Sequence, residues 1–169
     1  MKRVMILGSA GSGKSTLARQ IGVIVGLPVI HLDSLFWNAG WVETPDDEFL
    51  RKVENAASDE KWVIDGNYSR TMDVRLARAE TVIFLDFNRY FCLFRVVRRW
   101  WRNRGRTRED LAEDCPDKLD KEFLAWVWTY PKRSRPRTLA LVDELRSSKK
   151  VYHFKTRRSV KKFLEGLDA

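Results

Sequence analysis

The sequence predicts an α/β fold in which helices cover both faces of a parallel sheet. Three observations predict it: five short runs rich in branched and aromatic residues, segments of helical periodicity between them, and a glycine-rich turn directly after the first run. Strands that alternate with helices in this way favour right-handed crossovers and a parallel sheet. The predicted strands are Val4 to Leu7, Val29 to Leu32, Trp62 to Ile64, Thr81 to Leu85 and Val151 to Phe154.

Helix start and stop signals lie between these runs. The first helix is predicted to begin at Gly13 or Lys14 and to end near Gly26, because a Gly-Leu-Pro sequence there is a stop signal. The second is predicted to begin after Thr44, whose hydroxyl is the expected cap. Its predicted apolar face consists of Phe49, Leu50, Val53 and Ala57. The last helix is predicted to follow Thr156.

Residues 87 to 149 separate the fourth and fifth strands and are mostly helical in pattern. This segment is too long for a simple crossover, and no repeat or Gly/Ser linker separates it from the rest. We therefore expect a single domain over residues 1 to 169, with residues 87 to 149 as a helical elaboration.

Charge and apolar content limit the function classes. Lysine and arginine number 32 against 23 aspartate and glutamate residues, and the net charge of +9 favours polyanionic ligands such as nucleotides or nucleic acid. The longest apolar runs are strand-sized, so we expect no membrane span and a cytoplasmic protein. Cys92 and Cys115 lie in no CxxC pattern, and neither a zinc site nor a disulfide framework is predicted.

A phosphate-binding loop follows the first strand. Residues 8 to 15, GSAGSGKS, match the pattern GxxxxGK[ST] and stand between an apolar strand and a helix. The glycines let successive amides point towards one site, Lys14 adds a full charge for the outer phosphates, and the Ser15 hydroxyl is a candidate Mg²⁺ ligand. The predicted nucleotide-binding residues are Gly8, Ser9, Ala10, Gly11, Ser12, Gly13, Lys14, Ser15 and Thr16. Kinases, GTPases, transporters and helicases share this motif.

Two further strands are predicted to end in an aspartate, Asp33 after the second strand and Asp65 after the third. Because the carboxyl ends of parallel strands form the ligand crevice, both side chains should converge on the phosphate loop. Asp65 is the candidate Mg²⁺ ligand, directly or through water, and Asp33 is the candidate group that accepts a proton from a substrate hydroxyl or orients the acceptor. His31, expected on the same strand face as Asp33, is interpreted as structural.

An arginine-rich helix is predicted after the fourth strand. Seven arginines occur between residues 95 and 108, and no acidic residue occurs from residue 87 to residue 108. One helical face carries Arg95, Arg98, Arg99 and Arg102, and the opposite face carries Tyr90, Phe94, Val97 and Trp101. We expect the apolar face to pack and the arginines to contact an anion, because arginines without acidic partners repel one another. On a mobile lid they would neutralise charge on a transferring phosphoryl group.

A second basic cluster and several tryptophans leave an alternative open. A candidate second edge of the lid is formed by Lys132, Arg133, Arg135 and Arg137. Basic residues also surround Trp100, Trp101, Trp126 and Trp128, as they do at stacking platforms for nucleic-acid bases. A core stripe without nucleic acid is the competing interpretation, and it consists of Leu119, Phe123, Trp126 or Val127, and Tyr130.

The whole chain resembles the adenylate-kinase and shikimate-kinase group of small P-loop kinases, and most closely the DNA topology modulation (FlaR-type) proteins. The segments that carry the resemblance are GSAGSGKST, LPVIHLDSLFW, WVIDGNY, the arginine-rich helix after FLDFNRY, and HFKTRRSVKKFLEGL. The resemblance implies a P-loop NTPase fold with five strands in the order 2-3-1-4-5, ATP and Mg²⁺ as cofactors, and the arginine-rich helix as the lid.

The resemblance also implies roles for single residues. Asp65 and Gly66 correspond to the DG of nucleotide kinases, where the aspartate serves the metal and the glycine backbone approaches the phosphates. Asp33 resembles an acceptor-site aspartate of shikimate kinases. The other correspondences are the acceptor-binding region at residues 34 to 60 and the adenine-contacting loop at Thr156 and Arg157.

Departures from both groups leave the acceptor undefined. Nucleotide kinases follow DG with FPR, whereas this chain has NYSR, which displaces Arg70 by one place. His31 stands where shikimate kinases have an additional aspartate, and their glycine run after the third strand is absent. The expected activity is therefore transfer of the γ-phosphoryl group of ATP to a small acceptor. The residues expected near that acceptor are Asp33, Trp37, Trp41, Gly66 and Arg70.

Two alternatives to this activity follow from the same sequence. One is a nucleotide-regulated nucleic-acid-binding protein that affects DNA topology, and the other is an ATP-binding module without activity. In each case a monomer or a homodimer is expected.

Overall fold

A five-stranded parallel sheet forms the centre of the computed structural model, which describes residues 1–103, 115 and 119–168. Its strands are β1 (Arg3–Gly8), β2 (Val29–His31), β5 (Trp62–Asp65), β6 (Thr81–Leu85) and β7 (Lys150–Phe154). They lie in the order β2-β5-β1-β6-β7, which is the predicted order 2-3-1-4-5 of the central strands. A separate antiparallel hairpin, which the sequence did not predict, is formed by β3 (Trp37–Asn38) and β4 (Val42–Glu43).

Eight helices occur in the described part of the chain. They are α1 (Lys14–Val25), α2 (Leu32–Phe36), α3 (Asp46–Ser58), α4 (Met72–Arg78), α5 (Arg89–Arg102), α6 (Lys121–Arg133), α7 (Arg135–Leu145) and α8 (Arg157–Glu165). Two 3-10 turns, Ala39–Trp41 and Ser69–Thr71, precede β4 and α4. Within the described ranges, no helix is both long and apolar enough to cross a membrane.

Apolar residues pack on both faces of the sheet, as predicted. Alternate residues of β1 point to opposite sides, so that Met5 and Leu7 pack with α3, α4 and α7, whereas Val4 and Ile6 pack with α1 and α8. Each of these four side chains is buried. The first helix also begins and ends where the sequence predicted, since α1 is followed by Gly26 in the left-handed conformation that ends helices.

Two expectations around the second strand are wrong. The strand β2 ends at His31, and Asp33 lies in the first turn of α2, so these two residues do not share a strand face. Thr44 does not cap α3, because its hydroxyl donates to the Leu35 carbonyl at 3.0 Å and accepts from Asn38 Nδ2 at 3.1 Å. The chain comes back to α2 after the hairpin, and the hydrogen bond from Thr44 to Leu35 holds the two segments together.

The predicted packing of α5 is wrong as well. This helix buries Cys92 and Val96, whereas the apolar face that was expected to pack is exposed. The exposed fractions are 61% for Tyr90, 63% for Phe94, 42% for Val97 and 74% for Trp101. The physical reason is close contact with the phosphate loop, where a Cβ at Gly11 would lie 2.3 Å from the Cys92 carbonyl oxygen and 2.9 Å from Val96 Cγ2. Contact with this loop fixes the rotation of α5.

The described part of the elaboration between β6 and β7 is mainly helical. On α6, Val127 is buried against α5, and Leu119 and Phe123 pack beside it, which confirms part of the expected stripe. Trp126 and Trp128 remain 38% and 42% exposed. Three arginines of the predicted run lie outside the described residues, namely Arg104, Arg106 and Arg108.

Candidate active site

The phosphate loop connects the end of β1 to the start of α1 and is closely surrounded. Gly8 has a φ of 150°, and Gly11 has a φ of 74°, conformations that strain any residue with a Cβ. A Cβ at Gly8 would lie 2.7 Å from the Leu85 carbonyl oxygen, so β6 leaves no room for a side chain there. A tight loop of this kind before a helix amino terminus binds phosphate oxygens through main-chain amides.

Lys14 lies close to both predicted carboxylates. Its Nζ donates to the Ser9 carbonyl at 3.1 Å, which folds the side chain over the loop. Burial lowers the pKa of the Lys14 ammonium, whereas the negative charges of Asp65 and Asp33 oppose that shift. The two aspartates therefore converge on the loop, as the argument from strand ends predicted.

Asp65, the last residue of β5, belongs to the loop side of the site. The Ser15 hydroxyl donates to Asp65 Oδ2 at 2.9 Å, and His31 Nδ1 contacts Asp65 Oδ1. His31 thus serves as a partner of Asp65. The adjacent oxygens of Ser15 and Asp65 fit Mg²⁺, which prefers hard oxygen ligands and completes its octahedron with water and phosphate oxygens.

Asp33 has a different hydrogen-bond partner from Asp65. Tyr68 Oη donates to Asp33 Oδ1 at 2.8 Å. Burial first, and then the charge of Asp33 and its hydrogen bond, raise the pKa of Tyr68, so the phenol keeps its proton and acts as the donor.

Five aromatic rings extend from Tyr68 to the β3-β4 hairpin, and we call them the aromatic wall. Its contacts between ring centroids are Tyr68 to Phe36 at 5.0 Å, Phe36 to Trp37 at 4.9 Å, Trp37 to Trp41 at 5.3 Å and Phe49 to Phe36 at 5.1 Å. Trp41 has a φ of 66°, a left-handed conformation that is costly for a bulky residue. The predicted acceptor residues Trp37 and Trp41 are thus connected to Asp33 through Phe36 and Tyr68.

The other two predicted acceptor residues differ from each other. Gly66 directly follows Asp65, and a Cβ there would lie 2.8 Å from Leu32 Cβ, so the backbone approaches α2 closely. Arg70 contacts Asp46 at the start of α3, and its side chain is 73% exposed. The structure therefore gives the Arg70 guanidinium an acidic partner at the surface and does not bring it to Asp33.

Two supporting residues were missed by the sequence analysis. Asn67 forms two hydrogen bonds with Gly8, accepting from its amide at 3.1 Å and donating to its carbonyl at 2.8 Å. Arg75 is fully buried, and burial lowers its pKa to about 10. Its guanidinium donates to the main-chain carbonyls of Thr71, Gly66, Asn67 and Tyr68. Asn67 lies in the NYSR sequence that departs from FPR, but no role was predicted for it, and nothing in the sequence distinguished Arg75 from an exposed helical arginine.

Two of the four predicted arginines of α5 are half-buried, Arg95 and Arg99. Arg95 Nη1 donates to the Ser12 carbonyl at 3.4 Å, beside the phosphate loop. Arg99 adds to the effect of burial in lowering the pKa of Lys14. Two arginines of the predicted face, Arg95 and Arg99, therefore lie close to the phosphate loop.

The other residues predicted to contact the nucleotide are at the surface. Arg98 and Arg102 of α5 are exposed, and so are Thr156 and Arg157 at the start of α8. Burial lowers the pKa of Arg95, and the charges of Arg157, Arg99 and Arg98 lower it further. Positive charges that repel one another beside a phosphate loop favour an anion between them.

The second basic cluster contains one residue with a strong structural contact. Arg135 donates from Nε and Nη2 to Asp86 Oδ1 and Oδ2 at 2.6 and 2.8 Å, and His153 Nε2 lies 2.9 Å from Oδ2. Burial raises the pKa of Asp86, but the hydrogen bonds from Arg135 and His153 outweigh it and leave the pKa lowered. Arg135 is therefore fastened to the end of β6 rather than facing a ligand, while Lys132, Arg133 and Arg137 are exposed.

Comparison with known proteins supports the fold. No protein-family model and no curated protein matches this sequence. A shikimate kinase from Acinetobacter baumannii in complex with shikimate is similar with a TM-score of 0.63 and 14% identity, over 99% of this chain and 93% of that chain. A gluconokinase from Sinorhizobium meliloti 1021 is similar with a TM-score of 0.52 and 15% identity, over 98% of this chain and 89% of that chain. The chain thus has the P-loop kinase fold.

Proposed function

We propose that the protein is an ATP- and Mg²⁺-dependent phosphotransferase that moves the γ-phosphoryl group to a small acceptor. The observation that carries the proposal is that two carboxylates with different hydrogen-bond partners both interact electrostatically with Lys14. Asp65 is bonded to Ser15 of the loop, whereas Asp33 is bonded to Tyr68 of the aromatic wall. Phosphoryl transfer needs one group for the metal and another for the acceptor, and these two aspartates supply them.

At the nucleotide end, residues of the loop bind phosphate and balance its charge. The loop residues Gly8 to Thr16 would hold the phosphates through main-chain amides, with Lys14 placing its charge on the group in transfer. Ser15 and Asp65 would hold Mg²⁺, whose charge, when it is bound, neutralises phosphate oxygens. Further positive charge would come from Arg95, Arg98, Arg99 and Arg102, and adenine contacts from Thr156 and Arg157.

At the acceptor end, Asp33 receives the proton of the attacking hydroxyl and later releases it to solvent. The acceptor oxygen forms a bond to the γ-phosphorus as the bond from that phosphorus to the β–γ bridging oxygen breaks, and ADP leaves with the bonding electrons. Tyr68 keeps Asp33 in place through its 2.8 Å hydrogen bond. Lys14 stabilises the charge of the transferring group throughout.

The test is transfer of label from γ-labelled ATP to a panel of nucleosides, nucleotides and small alcohols. We expect a labelled product whose formation requires Mg²⁺ and matches the ADP released. ATP binding without transfer to any member of the panel would contradict an active kinase and favour a binding module.

A second candidate function is binding of nucleic acid on the outer side of α5 and α6. The observation that favours it is the exposure of Tyr90, Phe94 and Trp101 on α5, which were expected to pack, together with the exposure of Trp128 on α6. The Arg89 guanidinium lies 4.1 Å from the Trp128 ring and 5.4 Å from the Tyr90 ring, so cations and rings alternate there. Proteins bind single strands with such rings and cations. This second proposal includes membership of the DNA topology modulation family, which the sequence resembles, and an effect on DNA topology.

A salt titration tests the second candidate. Binding of a labelled single strand should weaken by about 10³-fold between roughly 50 and 200 mM salt if six phosphates are contacted. It should also be lost when Arg98, Arg99 and Arg102 are changed to glutamine, but not in V23A, a change at an exposed residue of α1. If neither single strands nor duplexes bind at low salt, this candidate is excluded.

A further inference from the structure

The acceptor end of the crevice has a composition that limits the class of acceptor. Resting on the phosphotransferase proposed above, we infer that the acceptor is an uncharged, hydroxyl-bearing ring compound, with the chemistry shared by sugars and nucleosides, rather than a hydroxy acid or a phosphate ester. The inference rests on the carboxylates beside Lys14, on the aromatic wall, and on the contacts of three arginines.

The electrostatics disfavour an acceptor that carries its own negative charge. The Asp33 carboxylate lies at the acceptor end, where Tyr68 of the aromatic wall donates to it, whereas Asp65 belongs to the loop side with Ser15. An anionic acceptor would add a negative charge beside Asp33 and the nucleotide phosphates. Proteins that bind carboxylate or phosphate groups usually provide an arginine that forms paired hydrogen bonds with them.

Three arginines near the proposed active site are committed to other contacts. The Arg75 guanidinium is fully buried and donates to main-chain carbonyls of the loop after β5. Arg70 contacts Asp46 at the surface. Arg95 donates to the Ser12 carbonyl on the nucleotide side. Each of these guanidinium groups would have to give up its present partner before it could bind an acceptor carboxylate.

The aromatic wall provides surfaces that favour an uncharged ring as the acceptor. Trp37 and Trp41 lie with their ring centroids 5.3 Å apart and their planes at 72°, so the two indoles form a corner rather than a stack. The left-handed conformation of Trp41 holds its ring in the turn between β3 and β4. Flat apolar surfaces of this kind contact the C–H face of a sugar or the plane of a base. A hydroxyl on such a ring would be directed to Asp33, which takes its proton in the transfer step.

Matched pairs of acceptors that differ in charge test the inference. The pairs are glucose and glucuronate, adenosine and AMP, and methyl shikimate and shikimate, each assayed with γ-labelled ATP and the wild-type protein. We expect the uncharged member to have a kcat/KM at least about 10-fold higher, which is about 1.4 kcal/mol of discrimination. The glucose and adenosine arms distinguish a sugar from a nucleoside as the source of the ring.

The outcomes separate this inference from the proposed function. Equal use of both members, or preference for the anion, would overturn the inference while the phosphotransferase activity stands. Transfer to none of the six compounds would overturn both.

A pair of substitutions at Trp37 supplies a second readout. W37A should raise the KM for the uncharged acceptor about 10-fold or more and leave the KM for ATP unchanged, because it removes the ring on which the acceptor would stack. W37F keeps a flat ring and should recover most of the loss. A parallel rise of both KM values in W37A would show that Trp37 has only a structural role, and it would overturn the contact with the acceptor.

Discussion

The two ends of the proposed active site are built in different ways. The proposed nucleotide end comes mainly from one continuous segment, residues 8 to 16, whereas the proposed acceptor end combines α2, the β3-β4 hairpin, α3 and the loop after β5. Fixed charges and main-chain groups dominate the first, and aromatic rings dominate the second. A phosphate group has the same shape in every nucleotide, so a local motif can bind it, but recognition of one acceptor requires a surface assembled from distant parts of the chain.

Both ends depend on the same short loop after β5. Asn67 bonds to Gly8 at the nucleotide end, and its neighbour Tyr68 bonds to Asp33 at the acceptor end. The Arg75 guanidinium donates to the main-chain carbonyls of both residues. In the proposed reaction, adjacent residues of one loop would therefore set the distance between the nucleotide and the acceptor hydroxyl.

The largest expected effect is that of K14M at the nucleotide end. Removing the charge beside the transferring group should lower kcat about 10³-fold, since single groups that stabilise transition-state charge have effects of this size. The folded protein should persist, because burial already disfavours the charged form of Lys14. The control is K161M, a loss of one lysine whose side chain is 80% exposed on α8. Equal kcat values in K14M and K161M would contradict the role of Lys14.

The two carboxylates should give a smaller but more informative difference. D33N should lower kcat about 10²-fold at any Mg²⁺ concentration, because it removes the proton acceptor. D65N should instead raise the Mg²⁺ concentration needed for half-maximal rate, because it weakens a ligand of the metal. Magnesium titrations of both variants measure the contrast. A shifted Mg²⁺ requirement in D33N alone would reverse the two assignments.

The same contrast explains what could be predicted from the sequence. The phosphate loop depends on residues close together in the chain, so the pattern GxxxxGK[ST] was sufficient to place it between the first strand and the first helix. Convergence of Asp33 and Asp65 on Lys14 followed from the order of strands in a parallel sheet, even though Asp33 is helical. The Asn67 contact with Gly8 bridges 59 positions of the chain, and no local pattern contains it.

The rotation of α5 shows a different kind of limit. Periodicity identified Tyr90, Phe94, Val97 and Trp101 as the stripe that packs, because they form the most apolar face. The structure instead buries Cys92 and Val96. Gly11 of the phosphate loop packs tightly against these two residues, and the small side chains of cysteine and valine allow that close approach. Periodicity reports which residues share a face, and the partner of the helix decides which face is buried.

Substitution of Arg75 tests whether the shared loop couples the two ends. R75M should lower the free energy of unfolding by about 3 kcal/mol, because it leaves several main-chain carbonyls of the loop without a donor. The KM values for ATP and for the acceptor should rise together. Urea unfolding and kinetics check both, with R78M, an exposed arginine of the same helix, as the control. A change in only one KM would show that the loop does not link the ends.

The smallest expected effect concerns the support of α7 beside the nucleotide end. D86N should lower the free energy of unfolding by about 2 kcal/mol, because Asp86 is buried and accepts from Arg135 and His153. The folded-state pKa of Asp86 is lowered, so its stabilising contribution is present above the unfolded value near 3.9 and is lost as the pH falls through the folded pKa. The difference in unfolding free energy between wild type and D86N should therefore be full at pH 5 and shrink below about pH 4.

The control is D143N, at a side chain that is 68% exposed on α7, which should show no such difference from wild type at pH 5. A difference between wild type and D86N that grows on acidification would mean that Asp86 is not held by its two cationic partners.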